Sequence, residues 1–201
     1  MGQEKWYVAL PGSCDLLARA KAEPEFGTYL GFPSIFESGG KDWKAWDVPG
    51  REFCSAVRKL NEEHPGLRNR VCTLDRSYDM LHYLLSEARQ QGTFDAEDWA
   101  THAIRGTLAL PEHLQGGQGH PIRYSPPDTV EESASWLGGV TDLSLHEAYD
   151  PPAMEAQAVY KMRSEDQDGE LWKYIRTYFE GWKAFYLAAA AHQDGVLVIT
   201  T

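Results

Sequence analysis

The segment that most constrains this chain is its last one, where Leu171, Ile175, Tyr178, Trp182, Phe185 and Ala189 recur in steps of four and three. Trp172, Phe179 and Tyr186 mark a second stripe beside the first. Such steps follow the 3.6-residue turn of an α-helix, so the pattern predicts a helix over Gly169 to His192. Two adjoining stripes make an apolar face too wide for one neighbouring helix, which is what a central core helix needs. At 1.5 Å per residue it would run roughly 36 Å, far enough to cross a domain. Asp194-Gly195 then turns into Val196-Leu197-Val198-Ile199, an unbroken apolar run expected to be a buried strand.

The other end mirrors it. Trp6 to Leu10 is aromatic and β-branched and stops at Pro11-Gly12, the signature of a strand ended by a turn. With a strand at each terminus and helical patterns between, the expected fold class is α+β: a small sheet including both terminal strands, packed by several helices with the long C-terminal one in the core. At 201 residues the chain suits a single domain over 1–201 that needs no staples.

Between the termini, Ser13 is expected to cap a short helix carrying Leu16, Leu17 and Ala20. Glu23 to Gly50 is rich in proline and glycine yet holds Phe26, Tyr29, Phe32, Phe36, Trp43 and Trp46, and is expected to be an aromatic loop. Its rings either plug onto the core or form a lid or binding surface, which makes Trp43 and Trp46 candidate binding residues. A helix follows over Arg51 to Glu63, with Phe53, Val57 and Leu60 on one face. A second is expected to begin at Asp75, its stripe formed by Leu74, Tyr78, Leu81, Leu85 and Ala88. Thr93 to Arg105 suggests a helical piece, and Leu110 to Tyr124 is irregular and glycine-rich. Ser125-Pro126 starts a helix to Leu137 that Gly138-Gly139 should stop, and Asp150-Pro151-Pro152 opens another through Tyr160.

The formal charge is −11, from 30 acidic and 19 basic side chains. That balance opposes nucleic acid and anionic lipid, and would attract a basic protein partner or simply keep the chain soluble. Cys14, Cys54 and Cys72 are odd in number and lack a C-x-x-C, so neither a disulfide framework nor a zinc ribbon is expected. Met1 to Leu10 is too short in apolar residues for a signal-peptide core, and Ala184 to Ala191, the longest apolar run, is far short of the roughly 20 residues that span a bilayer. A cytoplasmic location is expected, with no membrane association.

Leu74-Asp75-Arg76-Ser77-Tyr78-Asp79-Met80-Leu81-His82-Tyr83-Leu84-Leu85 resembles a block of the YfbM-like bacterial family that reads Leu-Asp, a basic residue, an aromatic two or three on, then Leu-His-aromatic-Leu-Leu. Pro121 to Pro127 is similar to that family's Arg-aromatic/Leu-x-Pro helix entry, and Ala153-Met154 through Val159-Tyr160 to its Met…Ile-Tyr block. Phe185-Tyr186 through Ile199 resembles its terminal helix and strand. The similarity, together with Met1-Gly2 and the first strand, touches both ends and most of residues 70–201. Residues 23–50 match poorly, as an insertion or a divergent loop would, and Tyr78 stands where many relatives have Trp. The resemblance implies an α+β fold and a family of unknown function, with no catalytic residue set to carry over.

Asp75, Asp79 and His82 are four and three apart, which would set two carboxylates and an imidazole on one arc of a helix. They are the candidate catalytic residues, for a divalent metal or an acid/base pair; equally, Asp75 would be a cap, Asp79 a solvated turn and His82 a hydrogen bonder at the core's edge. Arg123 and Tyr124, just before the Pro126 helix start, would recognise an anion there, or Arg123 would pair with one of the many acids. Cys14, at a helix start, has no identifiable base. His102, His113, His120 and His146 match no ligand spacing, and Gly116-Gly117-Gln118-Gly119 lacks the Lys-Ser/Thr of a phosphate loop. No metal and no cofactor are expected. The reading that follows is a non-catalytic binding protein masking a basic protein partner, in the manner of an immunity protein or antitoxin; the alternative is a small-molecule enzyme, a metal-dependent hydrolase built on Asp75, Asp79 and His82.

Overall fold

The structure is a computed structural model that describes residues 3–41, 46–66, 70–162 and 169–201. The two terminal strands lie side by side: β1 (Lys5–Pro11) and β5 (Asp194–Thr200) are antiparallel over their whole length, from Lys5 opposite Thr200 to Pro11 opposite Asp194. Among the described residues three short strands complete the sheet. β2 (Val71–Asp75) pairs with β1, β4 (Arg123–Ser125) with β5, and β3 (Leu108–Ala109) with β4, giving the order β2-β1-β5-β4-β3, antiparallel throughout. The fold is α+β, as the terminal strands and long helix indicate. The short strands carry too few residues to show an alternating pattern, and their extended shape comes from pairing with β1 and β5.

Side chains alternate across the sheet, so it feeds two cores. Tyr7, Ala9, Val196 and Val198 face the first, and Val8, Leu10, Leu197 and Ile199 the second. Over the second face lie α1 (Leu16–Ala22), α2 (Pro24–Gly27), a 3-10 turn (Thr28–Gly31), α3 (Pro33–Glu37) and α4 (Val48–Glu63). The stretch expected to be a loop is thus largely helical: Pro24 and Pro33 stand in first helical turns, and Phe26, Leu30, Ile35 and Phe36 are buried. The rings of Phe26 and Phe36 pack on Phe53, with centroids 5.0 and 5.8 Å away. α4 begins three residues earlier than its apolar stripe suggests, because the Asp47 carboxylate caps the Gly50 N–H at 2.9 Å.

The first face is covered by α5 (Tyr78–Leu85), α6 (Glu87–Gln90), α7 (Trp99–Arg105), α8 (Pro127–Gly139), α9 (Asp142–Glu147), α10 (Pro151–Ala156) and α11 (Glu170–Ala191). α11 is the helix that the double stripe predicts. Tyr7 meets Trp182, Phe185 and Tyr186 at 5.9, 6.2 and 6.2 Å between centroids. Gly138 and Gly139 are the last two residues of α8, and Lys183 of α11 donates to the carbonyls of Gly138 and Val140 at 3.1 and 2.7 Å at that C-terminus. α7 is anchored from beneath at its own C-terminus. The phenols of Tyr186 and Tyr7 donate to the carbonyls of Ala103 and Ile104 at 2.7 and 3.0 Å, two acceptors that a helix end leaves open. None of the helices among the described residues is long and apolar enough to cross a membrane.

Candidate functional site: a basic cleft beside α7

Toward Lys5 and Thr200 the apolar row of the first face gives way to a cleft of about 710 Å³, lined from the sheet by Lys5, Val198, Thr200 and Arg123 and from α7 by Thr101, His102 and Arg105. Local structure explains each placement. Asp98 caps α7 through the Ala100 N–H at 3.2 Å, and Gly106 ends the helix at φ 74°, a conformation that side chains with a Cβ rarely adopt. Ala100, Ala103 and Ile104 turn into the core, leaving His102 and Arg105, three apart, beside the cleft. Arg123 reaches across from β4, donating through Nε to the Gly106 carbonyl at 2.9 Å and through Nη2 to that of Thr107 at 3.0 Å. Lys5 donates to the Thr200 hydroxyl at 3.1 Å, and its Nζ stands 5.2 Å from the centre of the Tyr78 ring. Arg105 lies 5.1 Å over the exposed ring of Phe94.

The site inverts the character of the chain. In a protein with an excess of acids, Lys5, Arg105 and Arg123 share a cleft whose lining includes one carboxylate, Glu97. Among the described residues none of the three takes part in a salt bridge, whereas Arg19, Arg70, Arg89 and Arg176 all do. The positive field registers on its neighbours. Burial pushes the Lys5 ammonium down to about 8, and Arg105 and then Arg123 push further, against the pull of Asp79. Burial followed by Arg105 lowers His82 to about 4. The imidazole Nδ1 of His102 is buried with no hydrogen-bond partner among the described residues, and His120 shares a contact of 3.1 Å with the Gln3 amide at the cleft's other wall.

The residues singled out from sequence are scattered by comparison. Asp75 does not start a helix: it ends β2 at φ 45° and accepts from the Tyr174 phenol at 2.8 Å, while α5 starts after Ser77. Asp79 is paired with Arg89 at 3.2 Å and accepts the Tyr160 N–H at 2.9 Å, so it holds the end of one loop to α6. His82 is buried and contacts the Thr101 hydroxyl at 3.0 Å. Each of the three therefore serves a different structural partner, and among the described residues no group of three or more His, Cys, Asp or Glu side chains is placed to hold a metal ion.

Trp46 packs half-buried against Tyr29, centroids 5.3 Å apart, on the second core; Trp43 lies outside the described residues. Arg123 and Tyr124 part company, as strand alternation requires. Arg123 faces the cleft instead of the α8 start, and Tyr124 packs on the second core, its ring so close over Gly195 that a Cβ there would collide with it. Lys5, His102 and Arg105 were not singled out together. One signal was available: in the alternation Lys5, Tyr7, Ala9 a lysine occupies an inward strand position, where a charge without a function is rare. Their meeting with Arg123 has no trace along the sequence.

A family model described as Domain of unknown function (DUF1877) matches residues 42–199. The fold is similar to the crystal structure of YfbM, a protein of unknown function from Escherichia coli, with a TM-score of 0.62 and 10% identity over 98% of this chain and 99% of that one. No curated protein matches the sequence.

Proposed function

The chain belongs to the DUF1877 family of unknown function, which brings no activity with it, and from the geometry we propose that it binds a small anion carrying a phosphate or carboxylate group in the cleft between β1, β4 and α7. The observation that carries this reading is the convergence of Lys5, Arg105 and Arg123, from three separate elements, on one cleft without an ion-pair partner among the described residues. Holding cations together without counter-charges is unfavourable, and an incoming anion relieves it. Arg105 supplies paired donors suited to carboxylate or phosphate oxygens, Arg123 adds its charge and the donors not already given to the Gly106 and Thr107 carbonyls, and Lys5 supplies a point charge from below.

The net charge of −11 supports the other binding reading, the masking of a basic protein partner, but the cleft is where that charge is locally reversed. A metal-dependent hydrolase on Asp75, Asp79 and His82 draws no support from contacts that already occupy all three.

Calorimetric titration with inorganic phosphate and with small mono- and dicarboxylates tests the proposal. Binding is expected at low salt, weakening as ionic strength rises. Arg105→Ala should weaken it about tenfold, the equivalent of one charge-assisted hydrogen bond. No heat with any of these anions at low salt would sink the reading.

A further inference from the structure

We propose that the ε-amine of Lys5 is a nucleophile that condenses with the carbonyl carbon of a small anionic aldehyde or ketone, the anionic group being held by Arg105 and Arg123. This rests on the anion-binding reading and names the class of ligand within it.

Position comes first. Lys5 stands at the start of β1, tied on one side to Thr200 of β5 and on the other to Asp75 of β2. The β1–β2 register shifts between Lys5 and Trp6, with Lys5 opposite Asp75 and Trp6 opposite Thr73, so Leu74 is an extra residue beside the lysine. Such bulges re-aim side chains, and the positive φ of Asp75 belongs to the same irregularity. The Thr73 hydroxyl stabilises it from both directions, donating to the Lys5 carbonyl at 3.1 Å and accepting the Asp75 N–H at 2.9 Å. Nζ is then held at the cleft floor by the Thr200 hydroxyl. Other lysines are engaged differently: Lys59 and Lys173 pair with Glu63 and Glu170, and Lys183 binds backbone carbonyls.

The chemistry follows from that position. Only an unprotonated amine attacks a carbonyl, and Lys5 is pushed down to about 8, chiefly by burial. At pH 7 about one molecule in ten would carry the free amine, against about three in ten thousand for an ordinary lysine. The nitrogen lone pair forms the C–N bond while the carbonyl π pair moves to oxygen. That oxygen then departs as water, taking both amine hydrogens, and leaves the C=N double bond of an imine. The step consumes no oxidant, reductant or metal. An anionic group on the ligand offsets the neighbouring guanidinium charges, which would otherwise oppose protonation of the imine.

Pyridoxal 5′-phosphate, an anionic aldehyde, serves as the probe, with borohydride reduction and peptide mass mapping to locate the adduct. Lys5 should be labelled at least tenfold faster than Lys21, Lys59, Lys161 or Lys173, with a rate rising through about pH 8. Inorganic phosphate should protect it, pyridoxal without the phosphate should react at least tenfold more slowly, and Lys5→Arg should abolish the adduct with an unchanged melting temperature. Labelling spread over the surface lysines in proportion to exposure overturns the inference. If inorganic phosphate binds by calorimetry and Lys5 stays unlabelled, the imine falls while the anion reading stands. If pyridoxal labels Lys5 as fast as its phosphate does and inorganic phosphate gives no protection, the anionic ligand class falls together with the reading beneath it.

Discussion

Tyr7 and Lys5 are two residues apart on β1 and face the same side of the sheet, yet they belong to opposite kinds of environment. Tyr7 is fully buried among Trp182, Phe185 and Tyr186, and its hydroxyl is satisfied by the carbonyl of Ile104. Lys5 is desolvated too, but its neighbours are Arg105 and Arg123, and no carboxylate is paired with it among the described residues. At one end burial is matched by ring packing and by the hydrogen bonds of the Tyr7 and Tyr186 hydroxyls, so it stabilises the fold. At the other, charge is gathered against its own repulsion, which a protein tolerates where a ligand completes the site. The two ends are mechanically joined: the same tyrosines that fill the core hold the final carbonyls of α7, the helix that presents His102 and Arg105.

The sharpest way to break the comparison is at the dry end. Trp182→Ala removes a fully buried ring from contact with Tyr7 and Tyr186 and should lower unfolding free energy by about 3–5 kcal/mol in urea titrations. A loss below about 1 kcal/mol would mean that α11 is not the centre of the core. Next is acid. His82 sits at about 4 when folded against an ordinary 6.5, so the unfolded chain takes the proton first. Its contribution is complete above pH 6.5 and is lost as the pH falls toward 4, on the order of 3 kcal/mol in all. His82→Gln should flatten that part of the stability profile, and an unchanged slope would refute the assignment.

At the wet end the sign reverses. Lys5→Met removes a desolvated ammonium flanked by two guanidinium groups, and should stabilise the fold by roughly 1–2 kcal/mol while weakening phosphate binding. Destabilisation would place Lys5 with the structural residues. The smallest stability effect belongs to exposed Arg105. Arg105→Ala should move the melting temperature by less than about 2 °C, and a larger drop would show that the residue holds the fold as well as the cleft.

Legibility in the sequence followed the length of the periodic signal. The double stripe of α11 and the apolar runs of β1 and β5 were readable as a core helix and as two terminal strands of one sheet; that the two strands pair directly is seen only in the structure. Asp150 and Ser125-Pro126 marked helix starts near those observed, at Pro151 and Pro127. β2, β3 and β4 were not visible, because two to five residues of mixed polarity carry no period of their own. That gap misplaced Asp75, which the apolar spacing through Leu74 and Tyr78 drew into a helix although it ends a strand. The aromatic stretch near residue 30 failed for a different reason: its prolines begin short helices as well as breaking long ones, and only packing on the Phe53 ring of α4 decides which.

For the candidate site the division is sharper. Arg123 was legible as a candidate because an arginine's chemistry travels with it, but the sequence aimed it at the start of α8 and the structure turns it to the cleft. Its company was not. Residues 5, 105 and 123 become neighbours through a strand ladder and a glycine-ended helix, and a charge's meaning depends on distances of a few ångströms. By itself the sequence determined the class of fold, the central helix and the membership of both terminal strands in one sheet, because burial of apolar area is summed over many residues and survives local error. Only the tertiary structure decided where an acidic chain turns basic, because electrostatic character belongs to a place and is assembled from residues distant in the chain.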